Sequence, residues 1–169
     1  VTKPEFAAST KEQANYITVT DGTEVGYCEP IAIDNSNDYI QNVSIGNDFS
    51  VSSGANGYTL SSETVRLHAG SNYTVTLVPH LSTTRNFWRI WIDFNGDGYF
   101  NELDELVLEL NNKKGTVNSS ISMPQDASNF TRMRITMKNG KAPIACEDNF
   151  SGETEDYNVN FAPLAANTK

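Results

Sequence analysis

The stretch SNYTVTLVP, residues 71–79, decides the fold class. Tyr73, Val75 and Leu77 fall on one side of an extended chain and Thr74 and Thr76 on the other, the period-2 pattern of a half-buried strand. The pattern recurs on both sides. YIQNVSIG (39–46) sets Ile40, Asn42 and Ser44 against Tyr39, Gln41, Val43 and Ile45. NDFSVSSG (47–54) is a polar stretch ending in Gly, and ETVRLHAG (63–70) is a short strand and turn. NFWRIWIDF (86–94) places Trp88, Ile90 and Ile92 on one face, and ELVLEL (105–110) is another strand. In TRMRITMK (131–138), Met133, Ile135 and Met137 alternate with Arg132, Arg134 and Thr136, and DYNVNF (156–161) closes the set. No segment shows helical spacing strong enough to compete. NELDELVLEL (101–110) divides into an acidic loop and a strand. Short strands separated by Gly, Asn, Asp and Pro predict an all-β protein, an antiparallel β-sandwich or jelly roll. Residues 1–26 read as a linker and an entry strand, YITVT; residues 27–161 as one domain; residues 162–169 as a tail or linker.

The 169 residues suit a single domain that buries roughly 68–70% of its unfolded surface. The hydrophobic fraction is 38% and the formal net charge is −9. Duplex nucleic acid is excluded as a partner, because binding it rests on a basic surface. There is no run of 18 apolar residues, so no membrane helix is expected. No apolar leader follows the N-terminus, so a signal peptide is expected to have been removed or to lie upstream in a longer chain. The acids cluster at 93–109 and 147–156, which points to a hard cation such as calcium. Cys28 and Cys146 are too far apart for a zinc pair of C-x-x-C type. They are either two buried thiols or one disulfide, and an acidic, Asn- and Thr-rich chain with a calcium signal fits a secreted protein that forms the bond.

In WIDFNGDGYFNELDE (91–105), numbering from Asp93 puts Asp93, Asn95 and Asp97 at positions 1, 3 and 5, Gly98 at 6, Tyr99 at 7, Asn101 at 9 and Asp104 at 12, with Glu105 next. This is the oxygen spacing of an EF-hand calcium loop, entered here from a strand. Side chains two apart in a curling loop converge, Gly98 permits the turn, and Tyr99 offers its carbonyl. Whether Asp104 or Glu105 closes the site is open. The competing reading is a plain hairpin, since Asn95-Gly96 and Asp97-Gly98 are both type I′ turn pairs. A hairpin does not need acids at 93, 104 and 105, and crowding them without a counter-ion is unfavourable.

The sequence YC (27–28), DYI (38–40), WIDFNGDGYF (91–100), TRMRI (131–135), Cys146 and FSGETEDYNVNF (150–161) resembles the GEVED domain family. The naming motif reads Gly152-Glu153-Thr154-Glu155-Asp156-Tyr157, with Thr in place of Val. The resemblance implies an all-β accessory module of secreted bacterial proteins, appended to peptidases, polysaccharide-degrading enzymes or adhesin-like chains, and not itself catalytic. It also implies a bond between Cys28 and Cys146. In an extended strand Glu153 and Glu155 share a face, as do Arg132 and Arg134, so neighbouring strands could carry a carboxylate–guanidinium ladder. A second metal site with Glu147 and Asp148, or a ligand surface, are the alternatives.

His68 and His80 have no neighbouring Cys, and neither G-x-S-x-G nor H-E-x-x-H occurs, so no active site is expected. The expected function is a calcium-stabilised carbohydrate-binding module that targets a polysaccharide-degrading enzyme to its polymer. Trp88, Trp91 and Tyr99 are the stacking candidates, although Trp88 and Trp91 have opposite parity. Arg89, Arg132, Arg134 and Lys138 would form a basic patch for an acidic polysaccharide, in competition with the ladder. Neighbouring domains of a longer secreted chain are the other expected partners. The alternative is a protein-interaction or substrate-binding domain of a secreted peptidase or adhesin. Five Asn-x-Ser/Thr sequons begin at Asn42, Asn72, Asn118, Asn129 and Asn149, as such a composition yields by chance.

Overall fold

The computed structural model describes residues 26–127 and 129–162. The expected entry strand YITVT and the tail after Ala162 lie outside them. Among the described residues, ten strands form two packed sheets: β1 (Ala32–Asp34), β2 (Ile40–Ile45), β3 (Phe49–Ser52), β4 (Tyr58–His68), β5 (Asn72–Pro79), β6 (Arg85–Ile92), β7 (Leu106–Lys114), β8 (Val117–Ser122), β9 (Asn129–Asn139) and β10 (Phe150–Ala162). The larger sheet runs β1-β10-β9-β6-β7, with β4 also paired to β10, and the smaller runs β3-β2-β5-β8.

The fold is the expected all-β sandwich, with one difference. Its pairs are antiparallel except on the outer edge of β10, where first β1 and then β4 run parallel to it. Parallel neighbours need a long crossover rather than a hairpin. The chain between β4 and β10 supplies it by building most of the sandwich.

The core lies between the sheets. Trp88, Ile90 and Ile92 of β6, Met133, Ile135 and Met137 of β9, and Tyr157, Val159 and Phe161 of β10 meet Val43 and Ile45 of β2 and Val75 and Leu77 of β5. Each large apolar side chain withdrawn from water contributes roughly 1.5–3 kcal/mol. In β2 simple alternation fails. The β2–β5 register shifts between Ile40 and Asn42, and Ile40 joins Val43 and Ile45 in the core instead of facing away with Asn42 and Ser44. Such a bulge adds one residue to one strand and so inverts the parity beyond it.

The opposite face of the larger sheet is also covered. Cys28, Trp91, Phe100, Ala145 and Cys146 make a second cluster, with Tyr27 and Leu106 packed against it. The Cys28–Cys146 disulfide, between residues 118 apart in sequence, joins the two segments that lie there. Trp88 and Trp91 therefore divide between the two faces of the sheet, and both are fully buried.

Candidate metal centre

The acidic loop links β6 to β7. Its ends are clamped where Ile92 N–H donates to Glu105 C=O at 2.9 Å, and Asp93 N–H donates to Arg132 C=O at 3.0 Å. Asp93 is wholly buried and organises the loop. Its Oδ1 accepts from Gly96 N–H (2.7 Å) and Asp97 N–H (3.2 Å). Its Oδ2 accepts from Gly98 N–H (3.0 Å) and from the Tyr27 hydroxyl (2.5 Å). Gly96 and Gly98 sit at φ 69° and 82°, the left-handed region that glycine enters without strain. Asn95 Oδ1 accepts from Asp97 N–H at 2.8 Å, and Asp97 Oδ1 from Tyr99 N–H at 2.9 Å.

Carboxylate oxygens of Asp93, Asp97 and Glu105 lie within 4.8 Å of one another. Glu105 is 1% exposed. Its Oε2 accepts from Asn101 N–H at 2.9 Å, while its buried Oε1 has no hydrogen-bond partner among the described residues. Burial first, then the negative charges of Asp93 and Asp97, push the Glu105 carboxyl up to about 7, against the pull of the Asn101 N–H. Three converging carboxylates with an orphaned oxygen have the chemistry of a hard-cation site, since calcium takes oxygen ligands from flexible loops. Asp97, on the exposed side, leaves the cluster open to solvent.

The loop departs from the expected ligand set. Asn101 uses its Oδ1 to accept from Leu103 N–H (3.0 Å) and Asp104 N–H (2.8 Å), capping a turn. Asp104 is exposed and outside the carboxylate cluster, which Glu105, at position 13, joins instead. Tyr27 is a member of this site that spacing arguments could not find, because it lies 66 residues away in sequence.

The expected ligand surface is corrected more strongly. Trp88, Trp91 and Arg134 are 0% exposed and Lys138 is 4%, so none of the four presents a face to a ligand. Trp88 belongs to the inter-sheet core and Trp91 to the disulfide cluster. Arg134 forms a bidentate pair with Asp156, Nε to Oδ1 and Nη2 to Oδ2, each at 2.7 Å. It also donates to the carbonyls of Ala145 (2.6 Å) and Cys28 (2.5 Å), and its guanidinium lies 4.8 Å from the Phe100 ring centre. Lys138 pairs with Glu147. Arg89 pairs with Glu102 and Glu109, and the latter carboxyl is held below its usual range by Asn111 and Arg89. Arg132 stacks over Tyr27 at 4.6 Å. No basic patch results. Tyr99 alone among the ring candidates keeps part of its surface, being half-buried.

The GETEDY acids also differ from the expected ladder. β9 and β10 are neighbours, but Asp156 stands opposite Arg134, while Glu155 stands opposite Ile135 and Glu153 opposite Met137. Glu153 and Glu155 therefore face the inter-sheet side. Glu153 Oε2 accepts from Ile40 N–H (2.8 Å) and Oε1 from Asn56 N–H (2.9 Å). Glu155 accepts from the hydroxyls of Ser53 and Tyr157. Burial raises both carboxyls, Glu153 to about 7. At Gly152, φ 145°, an added Cβ would lie 2.1 Å from Met137 O, so only glycine fits. The motif locks β10 to its neighbours.

No curated protein matches the chain. Among solved structures it is similar to a chitin binding domain from Burkholderia pseudomallei, at 10% identity and a TM-score of 0.42, covering 59% of this chain and 57% of that one. It is also similar to the CARDB domain of PF1109 from Pyrococcus furiosus, at 14% identity and a TM-score of 0.36, covering 74% and 97%. Neither likeness bears on what the chain binds. Residues 87–160 match the family model of the GEVED domain; that span holds the acidic loop, Arg134, Cys146 and the GETEDY motif.

Proposed function

We propose that the chain is a non-catalytic, calcium-stabilised accessory module of a secreted bacterial protein, and that its ligand is a saccharide. The observation that carries the calcium reading is the buried, unpartnered Oε1 of Glu105 beside Asp93 and Asp97. A cation there would be held by these three carboxylates and would supply the missing positive charge, tying the start of the loop to β7. Support for a non-catalytic role comes from where the ionisable groups go. Arg134, Glu153, Glu155 and Asp156 are all buried, each engaged by backbone or side-chain partners. His80 stacks on Tyr39 at 4.2 Å. A disulfide persists in oxidising compartments, which supports secretion. With Arg89 and Arg134 paired and both tryptophans buried, the exposed Ser, Thr and Asn side chains support a ligand of neutral hydroxyl groups.

The calcium reading is tested by melting temperature. Chelator should lower it by a few degrees and calcium restore it, as expected when a ligand binds only the folded state. Asp97→Ala should remove the difference; an unchanged melt of the wild type in chelator would defeat the reading. Retention on a panel of neutral and acidic polysaccharides, in calcium, tests the saccharide reading. A second reading, docking of a neighbouring protein domain, is favoured by Ile31 and Ile33 at the β1 edge, which are 60% and 67% exposed.

A further inference from the structure

The smaller sheet has a feature that the chain's acidity makes unexpected. None of its four strands, IQNVSI, FSVS, NYTVTLVP and VNSSIS, contains Asp, Glu, Lys, Arg or His. The chain as a whole has 21 acidic and 12 basic residues. One face of this sheet is core; the other is open to solvent and built mainly from Ser, Thr and Asn, with Val78 opposite Asn42.

The registers align these side chains in ranks. Ser50 stands opposite Ser44, Ser44 opposite Thr76, and Thr76 opposite Asn118, which makes one rank across all four strands. Thr74 stands opposite Ser120 in the next. Neighbouring strands lie about 4.7–4.9 Å apart, and same-face residues along a strand are about 6.6–6.8 Å apart. The face is thus a lattice of hydroxyl and amide groups. It is also pre-ordered. Ser44 Oγ is 2.9 Å from Asn42 Oδ1 and 2.9 Å from Ser50 Oγ, Asn42 Nδ2 donates to Val51 C=O at 2.9 Å, and the Thr76 hydroxyl donates to Asn118 Oδ1 at 2.7 Å. Each hydroxyl keeps acceptor capacity beyond these bonds. Three of the five sequons, those at Asn42, Asn72 and Asn118, fall on these strands, because Asn and Ser or Thr two apart share a strand face.

We infer that this face is the docking surface for a neutral polysaccharide, an assignment that rests on the saccharide reading above. Charge decides the occupant. Nucleic acids and acidic polysaccharides need cations, and the face has none. A protein interface draws on aromatic and Arg anchors, and the exposed face has neither. A neutral polyol needs only paired donors and acceptors at a repeat, which the lattice supplies. Each hydroxyl exchange with water nets only about 0.5–1.5 kcal/mol, so a short oligosaccharide is held weakly. A polymer that meets many ordered groups at once is retained.

The test is depletion binding to insoluble cellulose, chitin, β-1,3-glucan and, as the acidic comparison, calcium alginate, all in calcium. Thr76→Val/Asn118→Ala/Ser120→Ala removes the polar groups of one rank and part of the next without touching the core. Ser120→Arg, a second variant, obstructs the same face. The wild type is expected to partition onto at least one neutral polymer, and both variants to lose tenfold or more with unchanged melting temperatures. Wild-type retention that both variants keep would overturn this inference alone, as would retention on alginate only. No retention of the wild type on any polymer would overturn the saccharide reading and this inference with it. A wild-type dimer in gel filtration that Ser120→Arg turns into a monomer would overturn it in favour of self-association.

Discussion

The guanidinium of Arg134 holds three separate parts of the chain at once. It grips Asp156 on β10 and the carbonyls of Cys28 and Ala145 in the two covering segments, all out of contact with water. Breaking a buried pair leaves an uncompensated charge, at about 3–5 kcal/mol, whereas removing both partners together is far less harmful. Arg134→Met should therefore lose about that much stability in urea unfolding, and Arg134→Met/Asp156→Leu should recover most of it. Arg134→Lys should fail to rescue, because an ammonium cannot reproduce the planar fork. A loss below about 1 kcal/mol in the single variant would mean the pair is incidental to stability. The pair also marks how far residue roles could be read from sequence. The motif was legible as a signature, and Arg132 and Arg134 as its partners. Which acid met them was not, because every residue from Gly152 to Tyr157 is buried. Alternation tells faces apart only when one of them is wet.

Among the elements, β10 is the one that the others lean on. It pairs antiparallel with β9 along its length and takes β1 and β4 on its other edge. Its inward Glu153 reaches across to the start of β2 and to Asn56. This gives the fold a dependence on pH. The Glu153 carboxyl stands at about 7 in the folded protein, raised from 4.5 chiefly by burial. The folded state thus holds this proton more tightly than the unfolded chain does. Its stabilising contribution is complete below about pH 4.5 and is lost as pH rises through about 7. Glu155 shifts in the same direction. In saturating calcium the unfolding free energy should fall between pH 5 and pH 8, by on the order of 1–3 kcal/mol. In Glu153→Gln that fall should shrink; a fall of the same size would assign the dependence to other groups. Most strands were legible, because those with several core residues alternate clearly. β8 was not, since of VNSSIS only Ile121 is buried. Nor was the inward turn of Ile40, which a bulge hides from period-2 reasoning.

At the scale of the whole molecule, the sandwich has one ordinary core and one covered by two segments that a disulfide joins. Between the sheets, side chains from both layers interlock. Over the outer face of the larger sheet, the segments bearing Cys28 and Cys146 have no strand pairing with it where they cover Trp91 and Phe100. The pairing of the two cysteines followed from family resemblance, and nothing in their spacing showed what the bond would cover. The parallel placement of β4 on β10 was equally out of reach, since no turn joins those strands. The bond closes a loop that contains β1 to β9. In the chain-entropy account a loop of this length restricts the unfolded state by about 4–5 kcal/mol, a large part of the 5–15 kcal/mol that a domain typically has. Cys28→Ser/Cys146→Ser, or reduction, should therefore lower the melting temperature by about 10–20 °C at this chain length. The two cores should also respond differently. Trp91, beneath the cover, should become accessible to a collisional quencher in the folded, reduced protein, while Trp88 in the inter-sheet core stays protected until global unfolding. Single-tryptophan variants, Trp88→Phe and Trp91→Phe, separate the two signals. Equal protection of both rings after reduction would show that the outer core holds without its bond.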